Sequence, residues 1–230
     1  MYDTHYEAQV QTVQYAEQFE EKVASLAELR SVAFYCMDQL DGWCSHEKAG
    51  ILIDLIMKIR PKTIVEIGVW GGKSLVPMAC ALKANNFGKI FGIDPWNPIN
   101  SLQWVNNESN ENYWSRVDHE GIMNQLISKI DQFDLGDHIE LIRSTSGDAP
   151  AIPDIDILHI DGNHTEPSTF LDVTKWVPLV KRGGWIIFDD MTWCENGVFT
   201  AAKAVAWLDD HCVRFAQFSE GCDWGIWYKP

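Results

Sequence analysis

The chain has few basic residues for its size. Lysine and arginine together number 18, against 33 aspartates and glutamates in 230 residues, which gives a net charge of −15. A surface this acidic repels the phosphate backbone of nucleic acids and the headgroups of anionic lipids. The composition therefore predicts that neither a nucleic acid nor a membrane is a partner.

Other features are missing as well. No apolar run reaches the about 20 residues that span a bilayer, and the start of the chain lacks the basic segment and apolar stretch of a signal peptide. The six cysteines show no CxxC spacing, which argues against a zinc site and against a redox pair. Free thiols are typical of the reducing cytoplasm, so we predict a cytoplasmic protein.

Residues 1–60 carry helical patterns. Apolar side chains recur at three- and four-residue steps from Val10 to Leu26, and Ser45 is placed to cap a second helix that would end before Pro61. We interpret this segment as a helical cap that belongs to the same domain as the rest of the chain. Such helices could cover a sheet, shape a substrate pocket or pair with a second subunit in a homo-oligomer.

Residues 61–230 alternate between short apolar runs and helical stretches. This alternation is typical of βαβ units and predicts an α/β fold with a Rossmann-like, mainly parallel sheet. The aromatic, β-rich segment Val213–Tyr228 predicts a closing antiparallel hairpin. The predicted parallel strands are Thr63–Ile67, Ile90–Ile93, Ile139–Ile142, Ile155–Ile160 and Trp185–Phe188.

A glycine turn follows the first predicted strand, within Glu66–Ser74. The dinucleotide fingerprint GxGxxG is absent because Trp70 stands in place of its second glycine, and the phosphate loop GxxxxGK[ST] is absent because Ile67 stands in place of its first. A glycine turn without either phosphate cradle suits a nucleoside ligand that has no phosphates, such as S-adenosylmethionine (SAM). Asp94 ends the second strand, where an acid can accept both ribose hydroxyls; the alternative is a solvated acid in a turn.

Three aspartates follow two later strands, Asp161 after one and Asp189 with Asp190 after the next. Adjacent parallel strands bring these ends together, and two carboxylates about 4 Å apart repel by about 4 kcal/mol at an effective dielectric of about 20. Either the carboxylates diverge, one of them takes up a proton, or a cation lies between them. For a cation, hard oxygen ligands suit Mg²⁺ or another hard divalent cation. Alternatively, Asp190 caps the following helix and Asp161 serves only the cofactor.

His164 follows Asp161 in the same predicted loop. A histidine has a reference pKa of about 6.5, which suits proton removal near neutral pH, so His164 is the candidate general base. The alternative is a hydrogen bond that stabilises the loop. His159 lies within the preceding strand, and we predict that it is a packed, hydrogen-bonded residue.

Two segments carry a family resemblance. Val65–Ser74 resembles motif I of class I SAM-dependent methyltransferases, and Ile160–His164, with the downstream glycine and aspartate pairs, resembles the catechol O-methyltransferase-like and macrolide-sugar O-methyltransferase groups. The likeness covers about residues 62–193. It implies a metal at Asp161, Asp189 and Asp190. It implies SAM contacts from Glu66, Gly68, Trp70, Gly72, Ser74, Asp94, Ser146 and Asp161.

The resemblance implies an enzyme that transfers a methyl group from SAM to a hydroxyl of a small molecule, with Mg²⁺ as a second cofactor. The macrolide-sugar enzymes have a histidine at the position of His164, which favours a sugar or natural-product acceptor; a catechol-like diol would also chelate the metal. The amide- and aromatic-rich residues 95–120 form either a substrate lid or an ordinary surface loop.

Three other functions fit part of the pattern. A cephalosporin hydroxylase-like enzyme shares the acidic site on the same type of sheet. A non-catalytic SAM-binding protein would bind SAM but tolerate the loss of His164 and of the Asp189–Asp190 pair. A nicotinamide oxidoreductase is disfavoured, because GxGxxG is missing.

Overall fold

The computed structural model describes residues 26–102 and 108–230. Within these residues the chain divides into two compact units, one made of 26–61, 70–90 and 122–140, the other of 62–69, 91–102, 108–121 and 141–230. The helical pattern predicted from Val10 to Leu26 lies outside the described residues except for Leu26, and residues 103–107 of the proposed lid at 95–120 lie outside them as well. The interpretation that the helical segment 1–60 and residues 61–230 belong to one domain stays a prediction.

The described helices and strands alternate along the chain much as predicted. The helices are α1 (Leu26–Met37), α2 (His46–Ile59), α3 (Leu75–Asn85), α4 (Pro98–Ser101), α5 (Glu108–Arg116), α6 (His119–Gln132), α7 (Glu166–Trp176) and α8 (Ala202–His211). The strands are β1 (Thr63–Ile67), β2 (Lys89–Asp94), β3 (Ile139–Arg143), β4 (Ile155–Ile160), β5 (Val180–Phe188), β6 (Cys194–Glu195), β7 (Val198–Phe199), β8 (Val213–Phe218) and β9 (Trp224–Tyr228).

The first unit is built around α3, which packs against α1 and α2. The predicted cap of α2 is confirmed: the Ser45 side chain accepts a hydrogen bond from the Lys48 backbone N–H, and the helix ends at Arg60 in a left-handed conformation. Cys80 of α3 is fully buried, and both its hydrogen bond with Cys36 and its burial raise the pKa of the Cys80 thiol well above its usual range. All six cysteines are free thiols.

The second unit contains the core of a mostly parallel sheet in the order β3-β2-β1-β4-β5-β9-β8. β1, β4 and β5 run parallel to one another, whereas β9 is antiparallel to both β5 and β8. The predicted α/β fold and its C-terminal hairpin are therefore confirmed. Trp176, Phe188 and Trp227 are among the largest fully buried side chains, and they belong to one apolar cluster.

β5 begins earlier than predicted, at Val180 rather than at Trp185. The first half of the strand contains Gly183, and glycine is not typical of β-strand sequences. In the structure the φ of Gly183 is +82°. Backbone pairing with the end of the chain extends the strand, because the Gly183 N–H donates to the Lys229 carbonyl at 2.8 Å and the Lys229 N–H donates to the Gly184 carbonyl at 2.9 Å.

No helix among residues 26–102 and 108–230 is both long enough and apolar enough to cross a membrane.

Candidate active site

The candidate site lies at the carboxyl ends of β1, β4 and β5. Register pairs Ile67 with Ile160 and Ile160 with Phe188, so these three strands end at the same level. The backbone ladder continues beyond them: the Asp161 N–H donates to the Ile67 carbonyl at 2.8 Å, and the Asp189 N–H donates to the Ile160 carbonyl at 2.9 Å. The sheet itself therefore places Asp161 and Asp189 side by side, as the sequence predicted.

Gly68 makes this close approach possible. Its φ is +84°, and a Cβ atom at this position would lie only 1.8 Å from the backbone oxygen of Asp161. Any side chain would thus collide with backbone, which cannot move as a flexible side chain can. The glycine is required by the packing of the turn after β1 against the end of β4.

Asp94, at the end of β2, has its carboxylate fixed by two backbone groups. One oxygen accepts a hydrogen bond from the Val69 N–H at 3.1 Å, and the other accepts from the Trp96 N–H at 2.7 Å. The residue is 8% exposed, so it is not the solvated turn acid considered above. The two backbone N–H groups therefore fix the position of this carboxylate at the end of β2.

Asp161, His164 and Asp190 form a group whose ligating atoms all lie within 4.8 Å of one another. His164 Nε2 lies 2.6 Å from an oxygen of Asp190, a distance typical of a charge-assisted hydrogen bond. All three residues are half-buried, so solvent and small molecules can reach them. The left-handed backbone of Asp190, with φ 54°, turns the chain directly after β5.

A second group combines His159, Asp161 and Asp189, again with ligating atoms within 4.8 Å. The His159 ring bridges two acids, with Nδ1 2.8 Å from Glu66 and Nε2 3.1 Å from Asp189. His159 and Glu66 are 0% exposed, which confirms that His159 is packed and hydrogen-bonded. Asp161 is common to both groups, whereas Asp189 and Asp190 enter different ones; the described residues do not bring the three aspartates into a single group.

The sequence reasoning gave His159 no part in the site, although a signal was available. β1 and β4 pair with Glu66 opposite His159, so an acid and a histidine on neighbouring strands necessarily face the same side of the sheet. Glu66 was assigned only to the cofactor. In the structure it also fixes the histidine that contacts Asp189.

Trp193 borders the first group. Its ring lies 4.2 Å from the His164 ring, measured between centroids, with the planes tilted by 37°. The Trp193 Nε1–H donates to Glu195 at 2.9 Å, which anchors the indole to the short hairpin β6–β7. The sequence did not predict this hairpin, and its Val198 and Phe199 are exposed apolar residues.

The remaining residues of the expected cofactor loop lie in the first unit. Trp70 is 8% exposed. Its φ of 50° is left-handed, a backbone conformation that bulky residues seldom adopt. Gly72 has a φ of +84°, and a Cβ there would lie 2.4 Å from a methyl carbon of Leu126. Ser74 is buried at the beginning of α3.

Ser146 lies in the loop that joins β3 to β4, and α7 holds this loop in place. The Ser146 carbonyl accepts from Lys175 Nζ at 2.7 Å and from Trp176 Nε1 at 3.2 Å. Asp172 of α7 is 2% exposed. Burial raises the pKa of the Asp172 carboxyl to about 7, while Ser146 and Lys175 act in the opposite direction. The sequence reasoning did not single out Asp172.

The mostly parallel sheet with its antiparallel C-terminal pair is a Rossmann-like methyltransferase fold. The chain belongs to the methyltransferase-domain family, whose model matches residues 65–191, more than half of the chain. This match contains the last three residues of β1, all of β2, β3, β4 and β5, and every acid of the two groups. The resemblance to methyltransferases that motif I and Ile160–His164 carry in the sequence is therefore confirmed.

Solved structures with a similar fold include three methyltransferases. The O-methyltransferase TomG of Streptomyces achromogenes, in complex with SAM, is 16% identical, with 88% of this chain and 89% of that chain covered and a TM-score of 0.61. An O-methyltransferase of Bacillus cereus with S-adenosylhomocysteine (SAH) is 16% identical, with coverage of 90% and 92% and a TM-score of 0.59. The SAH-bound Podospora anserina methyltransferase PaMTH1 is 13% identical, with coverage of 95% and 87% and a TM-score of 0.60. At such low identities these likenesses establish the fold.

A search of curated proteins found no match to this sequence.

Proposed function

We propose that the protein is a SAM-dependent O-methyltransferase that acts on a hydroxyl group of a small molecule, such as a sugar, another natural product or a catechol-like diol. The observation that carries the proposal is His164, which Asp190 holds at 2.6 Å beside Asp161 at the open edge of the sheet. This arrangement offers a base for a hydroxyl proton within a fold whose family transfers methyl groups.

The cofactor is proposed to lie over the carboxyl ends of β1 and β2. Asp94 suits the ribose, because two backbone N–H groups fix the position of its carboxylate and carboxylate oxygens accept hydrogen bonds from hydroxyl groups. The other proposed contacts follow the family resemblance: Glu66, Gly68, Trp70, Gly72, Ser74, Ser146 and Asp161. SAM would supply an electrophilic methyl group to the acceptor oxygen.

The metal proposal draws on the chemistry of the donor set. Asp161 and Asp190 offer carboxylate oxygens within 4.8 Å of each other, and Asp189 offers another within reach of Asp161. Such oxygens fit Mg²⁺ or another hard divalent cation, which would lower the pKa of the acceptor hydroxyl. A carboxylate has two oxygens, so Asp190 can hold His164 through one and a cation through the other.

His164 is proposed to remove the acceptor proton. When its Nε2 carries the hydrogen donated to Asp190, Nδ1 is the basic nitrogen. Asp190 then both orients the ring and stabilises the imidazolium that forms. Trp193, at 4.2 Å between ring centroids, restricts the tilt of the imidazole from one side.

Methyl-labelled SAM tests the function directly. We expect label to move from SAM to members of a panel of sugars, catechols and other hydroxylated natural products, with SAH released in equal amount. SAM that binds without any transfer across the panel would favour a non-catalytic SAM-binding protein, and oxidation of an acceptor without transfer would favour a hydroxylase-like enzyme.

Asp94→Asn is expected to weaken SAM binding about 30-fold. The change removes a charged acceptor, and hydrogen bonds to charged groups contribute about 1.5–3 kcal/mol. Titration calorimetry of the wild type and the variant measures the effect. Glu140→Gln is the control, because it alters an exposed acid of β3 that pairs with Lys89. Equal affinities for Asp94→Asn and the wild type would remove Asp94 from the site.

Asp161→Asn is expected to weaken divalent-cation binding more than tenfold, since Asp161 belongs to both groups of ligating atoms. Electron paramagnetic resonance of added Mn²⁺ measures binding without any need for turnover. Asp118→Asn serves as the control, because Asp118 accepts a hydrogen bond from the Gly121 N–H at the start of α6. Unchanged Mn²⁺ affinity in Asp161→Asn would refute the metal site.

A further inference from the structure

One histidine lies between the cofactor half and the cation half of the proposed site. His159 of β4 has Glu66 of β1 as its register partner on one side and Ile187 of β5 on the other. Side chains alternate between the two faces of a strand, and Asp189 follows Ile187 by two residues, so both project from the same face. The middle strand therefore carries the ring, and the strands on either side of it carry the two acids.

Each ring nitrogen of His159 contacts one of these acids. Nδ1 lies 2.8 Å from Glu66 Oε1, and Nε2 lies 3.1 Å from Asp189 Oδ2. All three side chains are buried, so bulk water does not compete for these hydrogen bonds. The ring therefore holds each carboxylate in one orientation.

Three hydrogen-bonded polar side chains are a costly way to fill this part of the interior. Burial of charged groups carries a desolvation penalty that their mutual attraction often fails to offset, and apolar side chains of similar volume are frequently as stabilising. What apolar side chains could not supply is a fixed orientation for two carboxylates. The arrangement is therefore best explained by what the two acids bind.

Histidine is also a common metal ligand, and His159 forms a group of potential ligands with Asp161 and Asp189. A nitrogen that binds a metal must offer its lone pair to the metal, whereas both nitrogens of His159 are directed at carboxylate oxygens. Asp189 has a second carboxylate oxygen with which to bind a cation. The geometry thus favours a histidine that orients a metal ligand over one that is itself a ligand.

We propose that His159 is a positioning residue for both halves of the site, which orients Glu66 for the cofactor through Nδ1 and Asp189 for the cation through Nε2. The proposal rests on the proposed function, in which Glu66 contacts SAM and Asp189 contributes an oxygen to the metal. It assigns part of the affinity for each ligand to a buried histidine that contacts neither of them.

Two amide substitutions separate the two contacts of His159, because each keeps one of them. The NH2 group of glutamine lies close to the position of Nε2, that of asparagine lies close to the position of Nδ1, and both groups donate hydrogen bonds. His159→Gln should bind Mn²⁺ within threefold of the wild type and SAH about tenfold more weakly, since it loses the contact with Glu66.

His159→Asn should show the reverse pattern. It keeps the contact with Glu66, so SAH should bind within threefold of the wild type. It loses the contact with Asp189, so Mn²⁺ should bind about 10- to 100-fold more weakly, the usual loss when a residue that orients a metal ligand is removed. Electron paramagnetic resonance of added Mn²⁺ and titration calorimetry with SAH in the absence of metal measure the two affinities without turnover.

His138→Asn is the matched control. His138 Nδ1 hydrogen-bonds with the Gly88 carbonyl at 2.9 Å, directly before β2, so the same substitution there should leave both affinities unchanged. If the two His159 variants lose both affinities alike, or lose neither, the positioning role is overturned, because a merely structural histidine does not separate the two ligands. A wild type that fails to bind SAH or Mn²⁺ would instead refute that half of the proposed function, and the matching half of the positioning role with it.

A measurement on the unaltered histidine decides the question even if the His159 variants do not fold. Pulsed electron paramagnetic resonance of Mn²⁺ bound to protein with isotope-labelled histidine detects a ring nitrogen that coordinates the metal. The same measurement in His164→Ala removes the histidine of the other group. No nitrogen coordination in this variant would support orientation through Asp189, whereas coordination that persists in it would show that His159 is itself a ligand and overturn the proposal.

Discussion

His164→Ala is expected to lower kcat by about 10²- to 10⁴-fold, the usual contribution of a positioned general base. The SAM dissociation constant should change less than threefold, because the proposed cofactor contacts do not include His164. The reason is geometric: the imidazole is held at 2.6 Å by Asp190 and faces the half-buried group that contains Asp161. Single-turnover kinetics with labelled SAM, alongside calorimetry, separate the two quantities.

The control for this prediction is His211→Ala. His211 is an exposed histidine at the end of α8 whose Nδ1 hydrogen-bonds with the Trp207 carbonyl, so its removal should leave kcat unchanged. A variant without His164 that keeps the wild-type kcat would show that the histidine only stabilises its loop.

Trp193→Ala is expected to lower kcat by a smaller factor than His164→Ala does. The indole contacts the imidazole and is anchored to Glu195, so its removal lets the His164 ring tilt. A tenfold loss of kcat is expected from misplacement of the base alone. Recovery by Trp193→Phe, which restores an aromatic ring but not the Nε1 hydrogen bond, would assign the effect to ring contact. A kcat that stays at the wild-type value in Trp193→Ala would contradict this role.

Much of the fold was predictable because buried parallel strands leave a direct mark on the sequence. Thr63–Ile67 and Ile155–Ile160 are continuous apolar or β-branched runs, and their predicted limits agree with the structure. β5 was predicted too short because its first half is polar and contains glycine. Its extension depends on pairing with Lys229, a contact that no local pattern can indicate.

The positions of the site acids were also predictable, since parallel strands end at the same edge of the sheet and the residue after each strand lies there too. The sequence did not predict which of these acids share a group of ligating atoms. Asp189 and Asp190 are adjacent in sequence, yet the first reaches His159 and the second reaches His164. That division depends on the turn that begins at Asp190, with its left-handed φ of 54°. Aspartate adopts this conformation more often than most residues do, but still in only a small minority of cases, so the sequence does not announce the turn.

Asp172 illustrates a different limit. In the sequence it is one acid among 33 acidic residues, placed in a helix where a charged residue ordinarily faces solvent. Only the packing of α7 against the β3–β4 loop buries it to 2% exposure. Helical periodicity alone does not reveal a buried acid, because α7 also carries the half-buried Thr174 and Lys175 beside the buried Val173 and Trp176.

Because Asp172 is buried, we expect the free energy of unfolding to depend strongly on pH. Its pKa rises from 3.8 to about 7 in the folded protein, chiefly because burial penalises the carboxylate. The folded state then holds the proton more tightly than the unfolded state does. The contribution of the Asp172 carboxyl to the free energy of unfolding is therefore largest below about pH 4. It falls as the pH rises from there through the folded-state pKa, and it is constant at higher pH.

Asp172→Asn removes this titration and should be more stable than the wild type at high pH. A shift of about three pH units corresponds to about 4 kcal/mol, at about 1.4 kcal/mol for each unit. The sequence pI is about 4.7, so measurements are best confined to pH 5.5 and above. Between pH 5.5 and pH 8, the free energy of unfolding of Asp172→Asn should gain about 2 kcal/mol relative to the wild type.

Urea unfolding at a series of pH values measures this difference, because other titrating groups contribute almost equally to both proteins and cancel. Thr174→Val, which removes a hydroxyl from the same helix but no titrating group, should shift the stability curve by an amount that does not vary with pH. Parallel curves for Asp172→Asn and the wild type would mean that the carboxyl is ionised in the folded state throughout this range.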